Sequence, residues 1–313
     1  MSAVACEKGS ILPTLEGPRT TWLWTDPGYP ECLSEINNPV ECLHIVGDTS
    51  VLEEQAIAIV GARKATPYGL KCAYRFGMRA ARAGLVVVSG GAIGCDQAAH
   101  RGALEGGGRA VVVTGCGANI VYPVRGRKLF EEVLAAKGAV VSEAPWDAPP
   151  VSWAFPRRNR IIAALSQAIL IVEAGLPSGT FSTADAALAQ GKDVLVVPGS
   201  IDSRESRGSN RLLQQGATPI VSNESFDDAL EAIFGRSMER QATHAVALDD
   251  HNIQTLSETE EVLLRACAAC PMHAEELASA CALDVLTTIR LLSALELGRR
   301  VKRLRDGRYS ALL

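Results

Sequence analysis

Short apolar runs rich in Val, Ile and Ala recur along the chain from Ala56: AIAIV, LVVVS, AVVVT, AVVSE, AILIVEA, DVLVVPG and PIVS. Ala-rich stretches of helical character separate them. A strand reads as a continuous apolar run, rather than an alternating one, when both of its faces are buried, and strands separated by helices pair in parallel. The pattern therefore predicts an α/β layer, a doubly wound and mostly parallel sheet, over residues 55–235. Residues 1–54 carry Pro13, Pro18, Pro27, Pro30 and Pro39 with little periodicity. They are expected to form a lead-in that packs on the core.

Residues 236–254 are polar, include Asp249, Asp250 and His251, and read as a linker. A second, smaller domain is predicted over 255–313. Leu256, Val262, Leu263 and Leu264 begin one helix, HAEELASAC makes a second and DVLTTIRLLSALELG a third. RVKRLRDGRYSAL then folds back on itself around Asp306-Gly307, a hairpin turn signal. Three helices and a hairpin outline a winged helix-turn-helix.

The length of 313 residues suits two such domains. The formal charge of −4 means that attraction to a polyanion must come from a local patch, not from the chain as a whole. Nine scattered cysteines, an odd number without a framework, point to reduced thiols in a cytosol. The chain shows no apolar run of membrane-spanning length and no secretory leader pattern, so a cytoplasmic location is expected.

Candidate chemistry gathers where strands end. The first strand leads into VGARKATPYG, which holds Arg63 and Lys64. It matches neither the dinucleotide fingerprint nor the nucleoside triphosphate loop, which argues against those cofactors. Loop cations at the carboxyl end of such a strand suit anions. The second strand ends in SGGAIGCDQAAH. Ser89, Gly90 and Gly91 would let a ligand approach the backbone, Asp96 would cap the next helix, and His100 sits in an apolar helical run as a structural core residue. The fifth strand leads to Ser178, Gly179, Thr180, Ser182 and Thr183, more hydroxyls than a helix cap needs. Before that strand, FPRRNR places Arg157, Arg158 and Arg160 at the mouth of a helix, where the macrodipole disfavours cations unless an anion is present. Arg157 and Arg158 are expected to meet phosphate and Arg160 to be structural. Phe155 offers a stacking face for an unpaired base. CAACPMH has a metal half-site spacing but no second half, and reads as a helix with small core thiols, so no metal is expected.

In order, VGARKATPYG, SGGAIGCDQAAHRGAL, Tyr122-Pro123, SEAP, FPRRNRIIAALS, the SGTFSTA stretch, VPGS and GSNRLLQQGA resemble the DNA-processing protein A (DprA/Smf) family. The resemblance is dense over about residues 26–235 and extends to the C-terminal winged helix. It implies an extended Rossmann-like domain that binds single-stranded DNA, protects incoming DNA during natural transformation and loads the RecA recombinase. It further implies a homodimer in the bacterial cytoplasm that uses no cofactor and catalyses no reaction. Carried onto this chain, the DNA contacts fall on Arg63, Lys64, Ser89, Gly90, Gly91, Phe155, Arg157, Arg158, Asn159, Ser178, Gly179 and Thr180. Arg299, Arg300, Lys302 and Arg303 are candidates for phosphate contacts in the winged helix. Ile93 and Cys95, the residues after Tyr122-Pro123, and Ser182 depart from the family pattern. An N-terminal helical domain common in the family is expected to be absent.

Two alternatives stay open from the residues. One is a nucleotide-processing enzyme resembling the phosphoribohydrolases, in which PSGTFSTAD would replace the usual glycine-rich loop and Asp185 would stand for the acid. The other is a nucleotide sensor that reads duplex DNA through the basic winged helix.

Overall fold

The computed structural model describes residues 12–235, 257–298, 300–304 and 306–312. The chain divides into two compact units, Met1–Arg240 and Gln241–Leu313. The expected linker lies outside the described residues.

In the first unit the strands are β1 (Arg19–Leu23), β2 (Cys42–Gly47), β3 (Ala56–Val60), β4 (Val86–Ser89), β5 (Ala110–Val113), β6 (Ala139–Ser142), β7 (Ala168–Ile171), β8 (Asp193–Val196) and β9 (Thr218–Pro219). They form one sheet in the order β1-β2-β6-β5-β4-β3-β7-β8-β9. From β6 to β9 all neighbours run parallel. Between these strands lie α1 (Pro67–Arg82), α2 (Cys95–Glu105), α3 (Arg127–Ala135), α4 (Ala154–Ala164), α5 (Thr180–Ala189) and α6 (Arg207–Gln214), and α7 (Asn223–Phe234) follows β9.

The period of two explains why the strands are apolar throughout. In β3, Ala56, Ala58 and Val60 face α4, α5 and α6, packing with Ile161, Ala184 and Leu212. Ile57 and Ile59 face the other way, packing with Phe76 of α1, Ala99 of α2 and Phe226 of α7. Both faces are covered, so neither can be polar.

The first 54 residues are more than a lead-in. β1 and β2 extend the sheet antiparallel, with Arg19 opposite Val46 and His44 opposite Ser142. The sheet therefore begins at Arg19, well before residue 55.

The crossover is what positions the site. The chain runs from β3 outward through β4 and β5 to β6, then returns to lay β7 against the other side of β3. The loops after β3 and β7 consequently diverge to opposite faces and leave a crevice at the carboxyl edge, the place where doubly wound sheets bind ligands.

In the second unit, α8 (Glu258–Ala269), α9 (Ala274–Ala280) and α10 (Val285–Leu297) precede an antiparallel hairpin of β10 (Val301–Arg303) and β11 (Tyr309–Ala311). Leu263, Cys267, Leu277, Leu292, Leu295, Val301 and Tyr309 form its core. Cys267 of the metal-like spacing is thus a core thiol. Gly307 turns the hairpin with φ +88, the conformation expected for the Asp-Gly pair.

His100 is fully buried in α2, with Nε2 3.3 Å from the Val111 carbonyl oxygen and no partner for Nδ1. Burial pushes its pKa down to about 4. The unfolded chain therefore takes up a proton near pH 6.5 that the folded chain refuses until about pH 4. Stability from this residue is complete above pH 6.5 and is lost as pH falls toward 4, by about 3 kcal/mol. Urea unfolding of the parent and His100→Gln across this window should show a shallower acid slope for the variant.

Candidate nucleic-acid interface

A cavity of about 430 Å³ opens at the crevice between the β3 and β7 loops. Its walls come mainly from four chain segments. Gly61 to Lys64 follow β3, Gly175 to Thr180 follow β7, Phe155, Arg158 and Asn159 belong to α4, and Arg204 and Glu205 lie in a short turn after β8. Asp96 of α2 also lines it.

α4 begins at Ala154, one turn before the arginines. Arg157, Arg158 and Arg160 therefore lie in its second turn and not at its mouth, which removes the macrodipole argument for a bound anion there. Successive helical residues point about 100° apart, so the three diverge. Arg157 and Arg160, three positions apart, share one face and one partner, Glu143. Arg160 holds both Glu143 oxygens, at 2.8 and 2.6 Å, and also donates to the carbonyls of Asn38 and Arg157. Arg157 reaches the same carboxylate at 3.2 Å with half of its side chain exposed.

Arg158 points between the loops and is only 4% exposed. Its Nε donates to Asn159 Oδ1 at 2.9 Å, and Nη1 donates to the carbonyls of Gly90, at 2.8 Å, and Val113. Burial pushes the guanidinium pKa down to about 10, opposed by the nearby Asp96, so it stays charged. Burial also raises the Asp96 carboxyl above the usual range, with the Arg158 charge acting against it. The expectation that Arg158, like Arg157, turns out to phosphate while Arg160 alone is structural is thus corrected. It braces the ends of β4 and β5 and forms the cavity's inner wall.

The second-strand loop is also corrected. The Ser89 hydroxyl is fully buried and donates to the Ile59 carbonyl at 2.6 Å. Gly90 is bare because a Cβ there would collide with the Arg158 guanidinium. Gly91 is buried at φ +68, where a Cβ would lie 2.7 Å from Phe130. These glycines make room for protein atoms, so Ser89, Gly90 and Gly91 support the site from behind. Asp96 is a buried wall residue more than a cap; the helix-capping position falls on Gly94.

The exposed cations are Arg63, Lys64 and Arg204. None has an ion-pair partner among the described residues. Arg63 lies over the Phe155 ring at 5.5 Å, and Arg158 contacts the same ring at 6.0 Å. Phe155 is therefore partly occupied by arginine and presents only its remaining surface. Asn159, nearly buried, donates to Ser182 Oγ at 2.7 Å and Gly179 O at 3.3 Å, tying α4 to the start of α5. Ser182, a departure from the family pattern, is what accepts that bond. Ser178 and Thr180 bond to each other at 3.0 Å, and at the start of α5 the Ser178 hydroxyl accepts from Thr180 N at 3.2 Å and its carbonyl from Phe181 N at 3.4 Å. The first two amides of α5 are thus met by Ser178, and the Ser178 to Thr180 segment lines the cavity.

Glu173 holds the cation loop in place. It is buried, and accepts from Thr66 N at 2.8 Å and Thr66 Oγ1 at 2.7 Å, fixing the start of α1 just after Lys64. Burial raises its carboxyl pKa, and the two Thr66 bonds act against the rise. Arg204, Glu143 and Glu173 were not anticipated. Arg204 sits in an aperiodic polar stretch, and the partners of the two acids are distant in sequence.

Asp185, the acid required by the phosphoribohydrolase alternative, is exposed on α5 and does not line the cavity. In the second unit, Lys302 and Arg303 are exposed on β10, Arg303 lies 5.8 Å from the Tyr309 ring, and Arg300 is half-buried. Arg299 lies outside the described residues.

The DNA recombination-mediator protein A family matches residues 20–233, and the DprA winged helix domain matches 249–307. Protein Smf of Escherichia coli is 38% identical over 71% of this chain and 60% of its own length. The DNA processing protein DprA of Streptococcus pneumoniae is 35% identical over 64% of this chain and 70% of its own. The chain thus spans about 60% of the Escherichia coli relative. Among solved structures, DprA of Streptococcus pneumoniae superposes with a TM-score of 0.62 at 34% identity, covering 66% of this chain and 72% of that one. DNA processing protein A of Helicobacter pylori, described for its single-stranded DNA binding mode, gives 0.63 at 31% identity, covering 69% and 98%. With a doubly wound unit, a winged helix and the family's motifs in one order, the chain belongs to the DNA recombination-mediator protein A (DprA/Smf) family.

Proposed function

We propose that the protein binds single-stranded DNA along the carboxyl edge of its large sheet, without turnover of the strand. The observation that carries this reading is the cavity itself. Arg63, Lys64 and Arg204 line it without ion-pair partners among the described residues, Ser178 and Thr180 bring their hydroxyls to it, and Phe155 stands in its wall. Cations and hydroxyls suit a sugar–phosphate backbone, and an aromatic edge suits unpaired bases. The relative whose described activity is single-strand binding supports the same reading.

The wider role we propose follows the family: a cytoplasmic homodimer that shields incoming strands during transformation and passes them to RecA. Ser178, Gly179, Thr180, Asn159 and Phe155 shape the path in this reading, and Arg157 lies on its rim. Among the described residues no single helix is long and apolar enough to cross a membrane. The winged helix, with Arg300, Lys302 and Arg303, supplies an auxiliary phosphate contact.

Competition decides the substrate class. Unlabelled single strands should displace a labelled oligonucleotide at far lower concentration than a duplex of the same length. Equal displacement by the duplex would move the main site to the winged helix.

A further inference from the structure

A second cavity, of about 470 Å³, lies on the other side of the first turn of α4. It sits at the carboxyl ends of β5 and β6, beside Thr114 and Ser142. Its lining is mainly apolar, with Pro145, Pro149, Val151 and Ala154 among the walls. Arg158 lines both cavities, so one guanidinium is their common partition.

Two features at the mouth of this cavity lack a structural explanation. Trp153 is 64% exposed and its ring makes no aromatic or cation contact among the described residues. A large exposed aromatic beside an apolar cavity marks a recognition surface. Arg157 is the second. Glu143 is already held by Arg160 through both oxygens, so Arg157 is a surplus cation, half-exposed, on a carboxylate that does not need it. With half of the Arg157 side chain in solvent, this contact is screened and readily exchanged for another anion.

We propose that this cavity is a further subsite for the same strand: an unpaired nucleobase enters it and stacks on Trp153, while Arg157 turns from Glu143 to the adjoining phosphate. The inference rests on the single-strand reading of the first cavity. Trp153 and Phe155 are two residues apart, so their Cα atoms lie within about 7 Å, close to the separation of neighbouring nucleotides in an extended strand. The α4 N-terminus then acts as a ridge over which the strand passes from one cavity to the next. The apolar walls suit the faces of any base, and the hydroxyls of Thr114 and Ser142 are already engaged with Cys116 and Ala144. The subsite should therefore be tolerant of sequence.

The test uses the full chain and two fluorescent oligothymidylates. One has about four nucleotides, near the lower limit of a single-strand site, and the other about twice that. Trp153→Ala should weaken binding of the longer strand about tenfold, the effect of one lost stacking contact, and leave the shorter unchanged. Trp153→Phe should restore most of the loss, since a ring remains. If the alanine variant binds the longer strand within twofold of the parent, the subsite is wrong while the first cavity stands. If it weakens both lengths equally, Trp153 belongs to the first cavity and the subsite is again wrong. If the parent binds neither length, the single-strand reading itself fails and takes this inference with it.

Discussion

Arg158→Ala should unfold the large unit far more readily than any neighbouring substitution. The side chain is buried, and its removal strands the Gly90 and Val113 carbonyls at the ends of two central strands. It also deprives the buried Asp96 of the charge that opposes its desolvation, and leaves a hole beside the glycine loop that was shaped to admit the guanidinium. Removing one member of such a buried charged arrangement costs about 3–5 kcal/mol, on the order of 10 °C in the melting temperature of a unit this size. Arg157→Ala, one residue away, should cost less than about 1 kcal/mol, because its pairing is half-exposed and Glu143 keeps Arg160. Thermal melts of the two variants check the contrast. If Arg158→Ala melts with the parent, the bracing described for this residue is wrong.

This contrast also marks how far the sequence reaches. The strands from AIAIV onward were legible because continuous apolar runs have few other uses, and the winged helix because its turns and helix spacings are local. β1 and β2 were not. RTTWL alternates exposed and half-buried positions as an edge strand does, and prolines surround it.

The site was legible as a set of loops but not as a set of roles. FPRRNR announces charge, yet which arginine turns inward depends on where α4 starts and on what waits across the fold. Gly90 is 68 residues from Arg158, and Thr66 is 107 from Glu173. No spacing in the chain encodes such pairs. The glycines of SGGAIG signal close approach correctly, but the approaching atoms belong to Arg158 and Phe130, which only the folded chain reveals. Arg204 carries no local signal at all, and enters the site because the turn after β8 lies beside the β7 loop.

Cations around the switch-point cavity, without ion-pair partners among the described residues, are proposed to hold the phosphates of a single strand. Arg63, Lys64 and Arg204 are exposed and free of ion-pair partners among the described residues, so neutralising them together should spare the fold. Each contact to a phosphate is charge-assisted and contributes about 1.5–3 kcal/mol when fully formed. The triple alanine variant should therefore lose about a hundredfold or more in affinity at low salt, after allowing for exposure. Each neutralised phosphate also releases counterions, so the log–log slope of affinity against salt changes by about 0.7 per contact. The decisive measurement is a salt titration of oligothymidylate binding by the parent and this variant, with melting curves confirming that both are folded. The slope should be about 2 units shallower in the variant, together with the loss at low salt. An unchanged slope and affinity in a folded variant would contradict the proposal.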